Sequence, residues 1–375
     1  MNRQQILSRL GRRGWNVVYS YGRHAIWQRH TESFQRLPLL PAFEPSDNVT
    51  VDQPGKLLLR SGQLNGLDAL TLKLHGAHLR KKALERNGKL AALIYHPRFA
   101  AYADLLKPDY LIFYLRDAYF GELGWQPEDQ RLFERLAARA DLIVASHLQM
   151  ASPVAEDRRH RILELPNAVA FEHFCAGSLR PEPADLAAIP GPRIGYVGSI
   201  NMKVDLQLLL YLAKRRPDWS LVLVGPLVAF RGDEKPRQWE ELLATPNVHW
   251  LGSKAVGELP AYTAHIDVHL LCYDIVGAPW MRFGSPLKLY ECLAAGRPVV
   301  STPIEAVSEI DGAVRLAETP QEWEAAIVAS LSESGDTHVK GRQAIAAKND
   351  WDVRVDLLEE HLFRLARGTQ PSIAA

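Results

Sequence analysis

Apolar positions along this chain recur in two alternating periods. Ile6, Leu7 and Leu10 form a helical stripe that Gly11 and Gly14 end, and Trp15–Ser20 follows as a strand. A long helical stretch from about Leu67 to Arg86 stops at Asn87-Gly88, and Leu90–Tyr95 is a short buried strand. Tyr110–Leu115 is another strand, Gln126–Arg139 a helix with Pro127 in its first turn, and Asp141–Ser146 the strand after it. Short, almost wholly apolar strands between helices predict a parallel sheet covered on both faces.

The alternation pauses over residues 173–192, where prolines and glycines punctuate the chain, and then resumes. Arg193–Val197, Ser220–Val224, Val248–Leu251, Val268–Cys272 and Pro298–Ser301 read as strands. Leu206–Arg215, Gln238–Ala244, Glu258–His265 and Pro286–Ala295 read as helices. The predicted organisation is an amino domain over 1–172, a linker over 173–192 and a second doubly wound domain over 193–349. A final helix over 350–375 carries Val355, Leu358, Leu362 and Leu365 on one side. In open α/β sheets ligands sit at the carboxyl ends of the strands, so chemistry is expected just after strands and at helix starts.

Composition narrows the class. The 375 residues are 47% hydrophobic and 23% charged, which excludes disorder and fibrous repeats. Net charge is +1, but residues 1–100 hold 16 Lys or Arg against 6 Asp or Glu. A basic amino half points either to an anionic partner or to complementarity with the acidic remainder. Cys175, Cys272 and Cys292 are widely spaced and odd in number, so a disulfide framework or zinc site is not expected and a reducing, cytoplasmic setting is. No apolar run approaches the ~20 residues that cross a bilayer, and Met1–Gln5 opens no signal-peptide core.

The most informative stretch runs from Gly284 to Ser301. Ser285 is placed to cap a helix with Pro286 at its first position and Gly296 at its end. A helix opening through Ser285, Pro286 and Leu287 presents free N–H groups and the positive end of its dipole, which would seat a diphosphate. Lys288 and Glu291 share a face: either Lys288 adds charge to that seat and Glu291 accepts from ribose hydroxyls, or the two form an ordinary surface ion pair. Glycine turns at Gly198-Ser199, followed by Lys203, at Gly225 and at Gly252 fall at strand ends of the same domain. A nucleotide pocket needs such turns, and so does any doubly wound fold.

These residues resemble a family. SPLKLYECLAAGRPVVST is similar to the carboxyl-domain signature of GT-B glycosyltransferases of group 1, and YVGSI, LVLVGP, VHWLGS and ELPAYTAHIDVHLL precede it in the same order. ARADLIVASHLQM with LPNAV resembles the end of the amino domain. The resemblance implies an α/β fold of two facing Rossmann-like domains, with a nucleotide-diphosphate sugar on the carboxyl domain and a glycan or lipid-linked acceptor on the amino domain. It implies a retaining hexosyl transfer in surface polysaccharide assembly, with no metal and no cofactor beyond the donor. By position Glu291 would hold ribose and Lys288 the diphosphate, with Gly198, Ser199 and Ser285 to Leu287 around the phosphate and sugar oxygens.

The chain departs from the family in three places. Phe283 stands where many members have a donor-contacting Glu, Ser199 stands where an Arg is common, and the chain opens in a helix at about Asn2 where members have a strand and glycine loop. The amino domain is therefore expected to lack its first strand. Two further readings follow, a sugar-nucleotide 2-epimerase and an inactive nucleotide-sugar-binding scaffold.

On the acceptor side, His96 and Asp117 follow the strands Leu90–Tyr95 and Tyr110–Leu115, so both are candidates to orient or deprotonate a hydroxyl. The alternative for each is local: packing beside Pro97, or satisfying nearby backbone. His75 and His78 are expected on a solvated helix face. The basic run 78–89 could meet anionic lipid head groups. No motif points to nucleic acid.

Overall fold

A computed structural model describes residues 2–62, 64–115, 125–228, 236–277, 282, 284–308, 310, 312–333 and 335–368. The chain forms two compact units, Met1–Leu165 with Arg354–Ala375, and Pro166–Val353.

In the amino unit four parallel strands lie in the order Ala91–Ile94, Tyr110–Leu115, Leu142–Ala145, Ile162–Glu164. The two middle strands are apolar at every position because both faces are covered, and Ile112 to Leu115 have no exposure. Helix Pro127–Arg139 supplies Phe133, Leu136 and Ala137 to one cover, and its first turn is closed by Asp129 accepting from the N–H of Gln126.

A separate sheet pairs Val18–Tyr19 in parallel with Val49–Gln53, which also pairs antiparallel with Ala42–Ser46. The hairpin turns on Asp47 and Asn48, whose φ values of 44° and 65° are the left-handed pair that a two-residue turn needs. That turn signal is in the sequence, although the hairpin was not expected from its weakly alternating strands. The strand expected over Trp15–Ser20 shrinks to two residues.

Among the described residues no strand pairs with the outer edge of Ala91–Ile94. A cavity of about 520 Å³ lies there, bordered by Val18, Tyr19, Ala92 and Ile94.

His75 is not on a solvated face. It is fully buried, with Nδ1 2.7 Å from the Tyr102 hydroxyl and Nε2 2.8 Å from the Asp52 carboxylate. Ser20 donates to the same carboxylate oxygen, and burial pushes the Tyr102 hydroxyl up to about 12. His78 is half-buried and stacks on Phe43 at 4.3 Å. A buried carboxylate drew the histidine inward, which helix periodicity alone does not reveal.

The carboxyl unit holds six parallel strands in the order Val248–Trp250, Ser220–Val224, Arg193–Val197, Val268–Leu271, Val299–Ser301, Val314–Leu316. Numbered within the unit this is 3-2-1-4-5-6, the doubly wound order, and it reverses between Arg193–Val197 and Val268–Leu271. Residues 173–192, expected as a linker, lie inside this unit: Leu186 and Ile189 are buried against Val197, Val222 and Ile266. The final helix, Trp351–Ala366, begins in the carboxyl unit, and from Arg354 onward it belongs to the amino unit. There Val355, Leu358 and Leu362 are buried, Arg13 pairs with Asp356 and Glu359, and the Trp15 indole N–H donates to Glu359.

Candidate functional site

The carboxyl ends of the strands in the carboxyl unit carry three glycines in contact with one another. Gly198, with φ 144°, donates its N–H to the Val224 carbonyl at 2.7 Å. Gly225, with φ 146°, donates to the Gly252 carbonyl at 2.8 Å. A Cβ on Gly225 would overlap the Gly198 carbonyl, so the turns stack at a spacing only glycine allows. The Trp250 indole N–H closes the row by donating to the Gly225 carbonyl at 2.9 Å. Past the glycines the chain stays paired, Ile200 bridging to Leu227.

Helix Leu287–Ala294 starts against this row. A Cβ on Gly198 would overlap the Lys288 side chain, so the lysine lies across the first turn. Its ammonium sits 4.1 Å from the ring centre of Tyr196 and 5.7 Å from that of Tyr273, and it donates to the Tyr196 hydroxyl. Tyr196 belongs to Arg193–Val197 and Tyr273 follows Val268–Leu271. Lys288 therefore stands over the point where the strand order reverses.

One turn on, Glu291 retains partial exposure and has no hydrogen-bond partner among the described residues. Burial pushes its carboxyl up to about 7, opposed by the Lys288 charge. An unpartnered, partly desolvated acceptor beside an ammonium suits a ligand that brings hydroxyl donors. The surface ion-pair alternative is not what the geometry shows: Lys288 turns to the tyrosines, and no contact with Glu291 closes.

Ser285 does not cap the helix. Pro286 occupies the cap position, and no side chain accepts there. The Ser285 hydroxyl instead accepts the N–H of Asn167 at 3.3 Å, and its carbonyl accepts from the Asn167 amide at 2.5 Å. The first N–H groups of the helix are left for something else. Gly296 closes the other end as expected, with φ 73° and the paired bonds Gly296 N–H to Leu293 and Arg297 N–H to Cys292.

The remaining donor-side candidates sit at the same edge of the sheet. Ser199 is exposed, its carbonyl accepting from the Tyr196 hydroxyl at 3.1 Å, and Lys203 is half-buried with its carbonyl bonded by the Asp274 N–H. Sequence reasoning missed Asn167, Tyr196 and Tyr273. Asn167 lay in the LPNAV run but was placed in the wrong domain. Tyr196 opens the YVGSI run but was given no role there, Tyr273 carries no motif, and the two meet only through sheet order.

On the amino side, His96 caps the short helix Pro97–Phe99, its Nδ1 accepting from the Arg98 N–H at 3.1 Å, which puts the proton of the neutral ring on Nε2. Arg98 in turn grips Asp129 through two bonds, holding that carboxyl at about 2. Asp117 and Phe283 lie outside the described residues. The basic run 78–89 is partly committed internally: Arg80 bonds the Leu106 carbonyl, Lys82 pairs with Glu85, and Lys89 bonds Tyr110 and the Ala366 carbonyl.

Residues 191–333 match the family described as Glycosyl transferases group 1. This segment is similar to the domains of that family. It contains the glycine row and the Lys288 helix. The chain is 32% identical over 226 residues to the putative teichuronic acid biosynthesis glycosyltransferase TuaH of Bacillus subtilis (strain 168), a match covering 58% of this chain and 55% of that one. The chain thus spans about half the length of this curated relative.

Solved structures share the fold. Anabaena HepE, in complex with UDP and glucose, superposes with a TM-score of 0.61 at 19% identity over 84% of this chain and 86% of that one. The UDP-forming α,α-trehalose-phosphate synthase of Burkholderia vietnamiensis does so with a TM-score of 0.64 at 15% identity over 96% and 97%. The fold is accordingly of the GT-B class, as the sequence resemblance implied.

Proposed function

We propose that this protein transfers a sugar from a nucleotide-diphosphate donor to a glycan or lipid-linked acceptor during surface polysaccharide assembly. The observation that carries the reading is the placement of Lys288, the open start of its helix and the unpartnered Glu291 at the strand-order reversal. Two findings about other proteins support it: the relative's name states teichuronic acid biosynthesis, and HepE was solved with UDP and UDP-glucose.

In this reading the N–H groups of Leu287 and Lys288 and the Lys288 ammonium take the diphosphate, and Glu291 accepts from paired ribose hydroxyls. Departure of the nucleoside diphosphate places negative charge where the ammonium and helix terminus already point, so no metal is called for. The glycine row lets backbone approach the donor without a Cβ in the way. His96 donates from Nε2 to an acceptor hydroxyl and Asp117 orients that hydroxyl. With retention, the acceptor proton passes to the donor phosphate. Cys175, Cys272 and Cys292 are free thiols. Among the described residues no helix is long and apolar enough to cross a membrane.

Calorimetric titration with UDP and GDP tests the site. Lys288→Ala and Glu291→Ala should each weaken binding of the preferred nucleotide by about 1–3 kcal/mol, the scale of a charge-assisted hydrogen bond. Unchanged affinity in both variants would falsify the assignment. Release of sugar from the bound donor, with and without acceptor, separates a transferase from a binding scaffold.

A further inference from the structure

Helix Asn65–Ala83 of the amino unit buries Thr71, His75, Gly76 and Leu79, which leaves a second apolar side uncovered. Leu67, Leu70 and Leu74 are 49, 54 and 52% exposed. At 3.6 residues per turn they fall within about 60° of one another, a continuous stripe. Leu64 precedes them at 58% exposure.

The neighbouring loop extends the stripe into a surface. Ser61 and Gly62 donate their N–H groups to the Asp68 carboxylate at 2.6 and 2.8 Å, which ties the loop to the first turn of the helix. Trp27 lies against Gly62 and is 59% exposed. Scattered surface leucines need no explanation, but four leucines along one helix start with a tryptophan against the tethered loop do.

Its charges have one sign toward solvent. Arg60 lies over the Trp27 ring at 5.2 Å, and Arg29, Lys73 and Lys81 are exposed, Lys81 falling on the leucine stripe itself. The nearby carboxylate of Asp68 is turned onto backbone N–H groups, and Glu32 is taken up by Arg36. The first 100 residues carry the excess of ten positive charges noted above.

We propose that this surface docks on an anionic phospholipid leaflet, with Leu64, Leu67, Leu70, Leu74 and Trp27 entering the interface and Arg29, Arg60, Lys73 and Lys81 meeting the head groups. A leaflet satisfies both halves of the surface at once: its acyl boundary takes the leucines, and its phosphates take the cations. From the basic run 78–89 the surface takes Lys81, whereas Arg80, Lys82 and Lys89 are bonded within the chain. The inference does not rest on the donor site, and the surface shares no residue with it.

The test is co-sedimentation of the full chain with vesicles of phosphatidylglycerol and phosphatidylcholine, against phosphatidylcholine alone. Binding is expected only to the anionic vesicles and should fall as salt rises. Leu67→Ser, Leu70→Ser and Leu74→Ser together should lower the partition coefficient about a hundredfold or more, given the apolar area withdrawn, while UDP affinity and thermal unfolding stay as in the parent. Lys73→Glu with Arg60→Glu should abolish the preference for anionic vesicles. Equal binding to both vesicle types, no binding, or binding indifferent to the leucine substitutions would overturn the proposal. So would sedimentation velocity showing a dimer that the same leucine substitutions dissociate, since the surface would then belong to a second copy.

Discussion

Among the described residues, six parallel strands of the carboxyl unit run without a break from Val248–Trp250 to Val314–Leu316, whereas the amino unit divides seven strands between a four-stranded and a three-stranded sheet. The unbroken sheet has a defined reversal of order, and that reversal brings Tyr196, Tyr273, Gly198 and Lys288 into contact. The split sheets leave the free edges of Val18–Tyr19 and Ala91–Ile94 on either side of a cavity. Polar groups near that cavity are satisfied by the buried group of Ser20, Asp52, His75 and Tyr102. Pre-organisation of charge is thus concentrated in one unit, and the other exposes apolar and basic surface.

That contrast can be broken most sharply at Gly225. Alanine there must adopt a φ near 146° and overlap the Gly198 carbonyl, backbone that cannot move without parting two strands. Gly225→Ala should lower stability by more than about 3 kcal/mol, read from urea unfolding. A loss under about 1 kcal/mol would mean the glycine row is not closely stacked.

Glu291 sharpens it through pH. Its carboxyl is held at about 7 in the folded chain against 4.5 for the free group. A raised carboxyl favours the folded state fully below pH ~4.5, and this contribution is lost as pH rises toward 7. Glu291→Gln should therefore match the parent near pH 4 and exceed it in stability above pH 7, by up to about 3 kcal/mol. Nucleotide affinity of the parent should rise with pH through the same window, because hydroxyl donors favour the carboxylate, and the variant should lose that slope. A parent stability flat between pH 5 and 8, relative to the variant, would contradict the buried placement of this carboxyl.

The smallest effect belongs to the amino unit. Glu359 pairs with Arg13 and accepts from the Trp15 indole, and Gln keeps the second bond but not the first charge. Glu359→Gln should cost about 0.5–1 kcal/mol at low salt and less at high salt, as a partly exposed pair should. A loss several times larger would show that the final helix is held by charge more than by Val355, Leu358 and Leu362.

Local patterns made most of the elements legible. Tyr110–Leu115 appears as expected to the residue, Pro127 opens its helix, and Gly296 closes the signature helix, because apolar runs, proline and positive φ act over a few neighbours. The same short range explains the misses. Ser285 had the chemistry of a cap, but Asn167, 118 residues earlier, claimed its hydroxyl. His75 looked solvated until Asp52, far along the chain, arrived beneath it.

From the sequence by itself came the doubly wound class, the glycine turns and the pairing of Lys288 with Glu291 on one helix. Only the tertiary structure decided that Lys288 turns to Tyr196 and Tyr273, that Glu291 meets no hydrogen-bond partner among the described residues, and that a leucine face of the amino unit is exposed among them. The physical reason is that spacing along a helix sets which residues share a face, while what that face meets depends on strand order and burial, which distant segments determine together.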